Sequence, residues 1–234
     1  MSEDAVRCAA GFAFAVEAEC GAARVGRLAT PHGSVETPAF MSVATYGAVR
    51  GVGPDDLREI GAQILLANTY HLHERPGEDV IAALGGLHGF TGWRGPWLTD
   101  SGGYQVTSLA DRMQLDETGI TFTSPLDGQR RELTPEGAIA IQEQLGPDIA
   151  MVLDECQPIG VKSARSRADV EAAMARTERW ARRCAAARRR ADQAVFGIVQ
   201  GGAHADLRRA SARATAEIGF DGYAHGGLGL GEDR

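Results

Sequence analysis

Six short apolar runs, separated by stretches of helical pattern, constrain what this chain can fold into. They fall at 39–44, 63–68, 96–100, 148–153, 194–199 and 222–225. Continuous apolar strands alternating with helices indicate a parallel sheet covered on both faces. One intervening helix shows its inward face directly, with Val170, Met174, Thr177, Ala181 and Cys184 recurring at helical spacing. Pro54 and Thr134-Pro135 mark two further helix starts. Ahead of these runs, Phe12, Phe14 and Val16 alternate as in a strand, and 1–38 reads as an antiparallel hairpin. The remainder, 39–234, reads as one β/α body with a hairpin insertion near 118–133, turning in two residues at Asp127-Gly128.

Two architectures fit the alternation, a doubly wound sheet and a β/α barrel. A dinucleotide-binding sheet would carry G-x-G-x-x-G after its first strand, and none is there. The glycine cluster at 226–231 follows the sixth run instead, with spacing wrong for a phosphate-binding loop. A barrel is therefore expected, and its chemistry belongs at the carboxyl ends of the strands. Those ends are rich in polar groups and glycine. The second run ends in Asn68-Thr69-Tyr70-His71 and the third in Asp100-Ser101-Gly102-Gly103-Tyr104-Gln105. The fourth ends in Asp154-Glu155-Cys156, the fifth in Gln200-Gly201-Gly202, and the sixth in the glycine cluster.

These residue types suit a purine with the face of guanine. A carboxylate such as Asp154 accepts from N–H donors at N1 and N2. Gln200 and backbone N–H groups near Gly227 can donate to O6. Tyr104 can stack on the ring. Asp100 can act as general acid or base, or as nucleophile at a sugar carbon. A competing constellation is His71-x-His73 with His204 and His225, read as a metal-dependent hydrolase site on strand ends. A third reading is a non-catalytic partner of a complete homologue.

Charge sharpens the picture. The chain of 234 residues has a formal charge of −7, which argues against a protein that simply coats nucleic acid. Yet residues 161–213 carry 13 Arg or Lys against 5 Asp or Glu. The Arg-rich stretch from Arg165 to Arg190 is read as the solvated face of an outer helix. Cys8, Cys20, Cys156 and Cys184 form no C-x-x-C pair, so no metal site is expected from them. The amino terminus lacks the pattern of a signal peptide, and no apolar run reaches membrane-spanning length. A cytoplasmic protein with reduced thiols is the expectation.

The runs 68–72, 98–106, 154–156, 196–201 and 219–224 resemble bacterial-type tRNA-guanine transglycosylase (queuine tRNA-ribosyltransferase), in order and spacing, from about Phe40 onward. The resemblance implies a (β/α)8 barrel of which about six strands lie here. It implies exchange of guanine at the tRNA wobble position for a 7-deazaguanine, through a covalent ribosyl-enzyme intermediate. It makes Asp100 the general acid/base and 100–104 (Asp100, Ser101, Gly102, Gly103, Tyr104) the base-binding loop. Asp154, Cys156, Gln200, Gly227 and Leu228 become the remaining base-binding residues. Cys156 with Leu230 points to the small 7-aminomethyl precursor, because the branched side chain would block the cyclopentenediol of queuine. The partners implied are the tRNA anticodon loop, the deazaguanine base and a second copy in a homodimer. The family's nucleophilic aspartate, an RNA-contacting stretch and a structural zinc site of three Cys and one His have no counterpart in these 234 residues. The chain is therefore expected to be the amino-terminal portion of such an enzyme, without bound cofactor and inactive in base exchange alone.

Overall fold

A computed structural model describes residues 9–109, 113–156 and 166–228. It opens with strands β1 (Ala13–Cys20), β2 (Ala23–Thr30), β3 (Gly33–Thr37) and β4 (Ser42–Val43), then α1 (Pro54–Glu59) and β5 (Leu65–Ala67). Three short helices follow, α2 (Thr69–Glu74), α3 (Glu78–Ala83) and α4 (Gly86–Thr91), before β6 (Trp97–Thr99) and α5 (Gly103–Leu109). An antiparallel insertion holds β7 (Met113–Leu115), β8 (Ile120–Thr123) and β9 (Arg130–Leu133). The chain continues through α6 (Pro135–Leu145), β10 (Ile149–Met151), α7 (Arg167–Ala187), β11 (Ala194–Val199), α8 (Ala205–Ile218) and β12 (Gly222–His225).

Six strands form one sheet in the order β12-β11-β10-β6-β5-β4. The pairings β4 with β5, β5 with β6, β6 with β10 and β11 with β12 are parallel. Each strand thus lies beside the strand that precedes it in the sheet's chain order. A doubly wound sheet would reverse that order at a switch point; this one does not. The strands are shorter than the apolar runs suggest. The run at 39–44 contributes only two paired residues, and the run at 63–68 only three.

The chain divides into two compact units. One holds the described residues up to 100 with 141–150 and 189–194. Its core includes Leu65, Leu72, Ile81, Leu87, Trp97, Leu145 and Ile149. Its antiparallel element has three strands, β1-β2-β3, and is not a simple hairpin. The alternating Phe14 and Val16 are exposed on β1, with the Phe14 ring lying over Gly26 on β2. A Cβ at Gly26 would sit 2.8 Å from that ring.

The other unit holds 101–140, 151–188 and 195 onward. Helix α7 is capped by Ser166, whose Oγ accepts from the Asp169 N–H, and it buries Val170, Thr177, Ala181 and Cys184 together with Ala173 and Trp180. The insertion also has a third strand, β7, ahead of the expected hairpin. Its turn is longer than two residues, since Thr123 pairs with Arg130. Asp127 caps that loop by accepting from the Gln129 N–H at 3.0 Å. Thr134 does cap α6, its Oγ1 accepting from Gly137.

Gly197 on β11 lets α8 and the residues after it approach the strand closely. A Cβ there would meet the Phe220 ring at 2.5 Å and Thr215 Cγ2 at 2.6 Å, both buried. Gly197→Ala is expected to cost about 1–3 kcal/mol through overpacking. In a chain of this size each kcal/mol lowers Tm by roughly 2–4 °C. Thermal denaturation followed by circular dichroism checks this, and an unchanged Tm would mean that α8 does not pack as described.

Candidate active site

The polar residues at the strand ends fall into two groups, one in each unit. In the first, Asp100 follows β6 directly. Thr99 is fixed beneath it, its hydroxyl donating to Gln142 Oε1 at 2.9 Å in a fully buried pair. The Asp100 carboxylate is gripped by the end of β5 and the start of α2. Thr69 N–H donates to Oδ1 at 2.9 Å, Asn68 Nδ2 donates to Oδ2, and the Thr69 hydroxyl donates to the Asp100 carbonyl at 2.5 Å. A carboxylate held through both oxygens has a fixed direction, which an acid/base group requires. His71 lies within electrostatic reach of it. Burial pulls the His71 imidazole below its ordinary pKa, with Asp100 and then Glu74 opposing that shift.

In the second group, Asp154, Cys156, Gln200 and Gly227 come together. Gln200 Nε2 donates to Asp154 Oδ2 at 2.6 Å, and both side chains are buried. Gln200 is held at its backbone by Ser211, whose Oγ accepts its N–H at 3.0 Å. Two glycines let other chain segments close on this pair. A Cβ at Gly103 would stand 2.8 Å from the Asp154 carbonyl, and one at Gly226 would stand 2.4 Å from Gln200 Nε2. The Cys156 thiol is pushed up to about 12, first by burial and then by Asp154, with Arg208 and the Gly227 N–H opposing. Ser101 is buried, its Oγ accepting from the Gly103 N–H at 3.4 Å, while Tyr104 and Leu228 are exposed. Gly102, with φ +85°, makes the turn that starts α5. Leu230 lies outside the described residues.

Sequence reasoning missed several supports of these groups. Asn68 and Thr69 stood out as strand-end residues, but not as the partners of Asp100. Arg208 was not singled out, yet its guanidinium ties three carbonyls together, those of Gly202 at 2.8 Å, Val199 at 3.4 Å and Gly226 at 2.9 Å. No local signal marks an arginine that braces carbonyls from another element.

The histidine constellation dissolves. His71 and His73 sit on α2, not on a strand, so residues two apart point to different sides. His73 Nδ1 is paired with Glu78 at 2.7 Å. His204 is the residue capping α8, and His225 lies on β12. Among the described residues these four form no metal-binding group.

The arginines of α7 are mostly spoken for. Arg176 pairs with Glu155 and Glu117, Arg179 with Glu117, Arg182 with Glu178 and Arg183 with Glu136. Glu155 is thus a structural residue, its N–H also donating to Thr177 Oγ1 at 3.0 Å. An apolar cavity of about 260 Å³ between Tyr46, Val52, Leu57, Phe90 and Trp93 contains none of the candidate site residues. Among the described residues no helix is long and apolar enough to cross a membrane.

A parallel sheet whose strands follow one another in chain order, with helices between them, defines an α/β protein. The chain belongs to the queuine tRNA-ribosyltransferase family, whose model matches residues 19–234. Among its relatives is the queuine tRNA-ribosyltransferase of Thermus thermophilus, 55% identical over 95% of this chain and 57% of that protein. Those of Thermosynechococcus vestitus and Stenotrophomonas maltophilia are each 53% identical over 94% of this chain and 58% of theirs. The chain thus spans little more than half the length of these curated relatives.

With a pKa near 12, the Cys156 thiol stays protonated at neutral pH, and the thiolate is the reactive form. Iodoacetamide at pH 8 is expected to leave Cys156 unmodified while the exposed Cys20 reacts. Peptide mass spectrometry reads both sites, and labelling of Cys156 at the Cys20 rate would contradict the burial described.

Proposed function

We propose that this chain supplies the base-binding part of a tRNA-guanine transglycosylase, exchanging guanine at the wobble position of tRNA for a 7-deazaguanine. The observation that carries the reading is the buried Asp154–Gln200 pair, closed on by Gly103 and Gly226. A carboxylate and a carboxamide side by side match the donor-rich and acceptor edges of guanine and of 7-deazaguanines alike. Asp154 accepts from N1–H and N2–H. Gln200 and the Gly227 N–H donate to O6. Tyr104, exposed at the start of α5, offers a ring to stack on the base. Cys156, as a neutral thiol, shapes the floor of the pocket, and Ser101, Gly102 and Leu228 complete it.

Asp100 moves the proton. When guanine leaves the ribose, its departing ring nitrogen must gain a proton. When the 7-deazaguanine takes its place, the corresponding nitrogen must lose one. One carboxyl group performs both transfers, protonated before the first and regenerated by the second. The grip of Asn68 and Thr69 keeps it aimed.

The uninterrupted strand order supports a (β/α)8 barrel, to which these six strands contribute. The family resemblance adds the tRNA anticodon loop as partner, a homodimer and a cytoplasmic setting. The paired arginines of α7 favour a structural use of that basic stretch over an RNA-binding one.

Asp154→Asn turns one acceptor into a donor facing the N–H groups of the base. Such a mismatch costs about 1–3 kcal/mol, or roughly 10–100-fold in affinity. Isothermal titration with 7-aminomethyl-7-deazaguanine is expected to show that loss. Unchanged affinity would remove Asp154 from the base edge and with it the proposed reading.

A further inference from the structure

Arg208 lies near the start of α8, where a cation gains nothing from the helix dipole. Its side chain turns back to the strand ends instead. Nε donates to the Gly202 carbonyl at 2.8 Å, Nη1 to that of Val199 at 3.4 Å and Nη2 to that of Gly226 at 2.9 Å. Gly201, at φ +134°, permits the approach, because a Cβ there would stand 2.7 Å from the Arg208 backbone nitrogen. Gly226 is thereby fixed through both of its backbone groups. Its N–H donates to the Val199 carbonyl at 2.9 Å, and its own carbonyl is held by Arg208.

We propose that Arg208 is a positioning residue for base selection, which pins the Gly226 carbonyl and so aims the Gly227 N–H at O6 of a guanine-type base. This role presupposes the base-edge reading of Asp154 and Gln200 given above. Three observations support it. First, a trans peptide is planar, and its N–H points opposite to its C=O. Holding the Gly226 oxygen toward α8 turns the Gly227 N–H away from α8, and that N–H is directed at the Cys156 sulfur, two residues beyond Asp154. Second, Gly226 and Gly227 are successive glycines, the second at φ +69°, so local sterics do little to fix the peptide between them. Rotated, the same peptide would present an acceptor where O6 needs a donor, and would suit an amino group there. Third, a carbonyl that accepts from a guanidinium is polarised, which strengthens the N–H of the same peptide as a donor. In the free protein that N–H meets a thiol, a weak acceptor, so O6 can take it at little cost.

Guanine and 6-thioguanine differ only in the acceptor atom at position 6, and sulfur accepts more weakly than oxygen. Isothermal titration of the chain is expected to show a preference for guanine. Arg208→Met is expected to weaken guanine roughly 10-fold and to leave 6-thioguanine nearly unchanged, so that the preference disappears. Arg208→Lys keeps the charge but lacks the planar fork that spans three carbonyls. It is expected to lose the preference as well, and it carries the comparison alone if Arg208→Met does not fold. The nitrogen-15 labelled Gly227 amide gives a second readout, since guanine is expected to move its proton downfield in the unchanged chain and in neither variant. Equal weakening of both bases by either substitution would make Arg208 merely structural and overturn the proposal. A full preference in Arg208→Lys would overturn it too, by assigning the effect to charge alone. If the unchanged chain binds neither base, the base-edge reading itself fails and takes this role with it.

Discussion

The hydrogen bond from Gln200 to Asp154 is the interaction around which the strand-end chemistry is arranged. A buried carboxylate without a partner is costly, more so than a neutral polar group. Gln200 satisfies it, Ser211 holds the Gln200 backbone, and Arg208 holds the carbonyls of Val199, Gly202 and Gly226 on either side. The glycines at 103 and 226 follow from the same requirement, because a side chain at either position would strike the pair or its backbone. Groups that already hold one another in the right places need little rearrangement to meet a ligand edge, which keeps the ordering cost of binding low.

The opposite ends of the strands show a parallel economy. Asp148 is another buried carboxylate, satisfied by two backbone N–H groups and two imidazoles. Asp148 thereby ties the β2–β3 turn to the start of β6. Between sequence charge and function the link is weaker than composition suggests. The arginines of α7 are consumed in pairs with Glu117, Glu136 and Glu155, so a net basic segment does not by itself make an RNA-binding face. Exposed pairs of this kind add little stability singly.

Much of this was legible in the sequence. The apolar runs at 194–199 and 222–225 became β11 and β12, and the periodicity of Val170, Thr177, Ala181 and Cys184 became the buried face of α7. The strand-end residues Asp154, Cys156, Gln200 and Gly227 stand out in the sequence because polar groups and glycines recur at five of the six strand ends. What escaped has physical causes. Strand β5 is only three residues long, so Asn68 ends it and Thr69 starts a helix. That shift turned His71 and His73 from an apparent strand pair into helix residues. The grip of Asn68 and Thr69 on Asp100 spans some thirty positions and leaves no local pattern. Helices α3 and α4 are six residues each, too short for periodicity to reveal. His32 and His88 are separated by β3, β4 and β5, and only folding brings them to Asp148.

The central claim is that Gln200 and Asp154 read a guanine-type edge. The side-chain amide of Gln200, labelled with nitrogen-15 and assigned through Gln200→Glu, reports it most directly. Guanine or 7-aminomethyl-7-deazaguanine is predicted to shift the Gln200 amide resonances in a saturable way, while adenine, which presents a donor where guanine has O6, leaves them in place. Equal shifts with adenine, or none with guanine, would contradict the account.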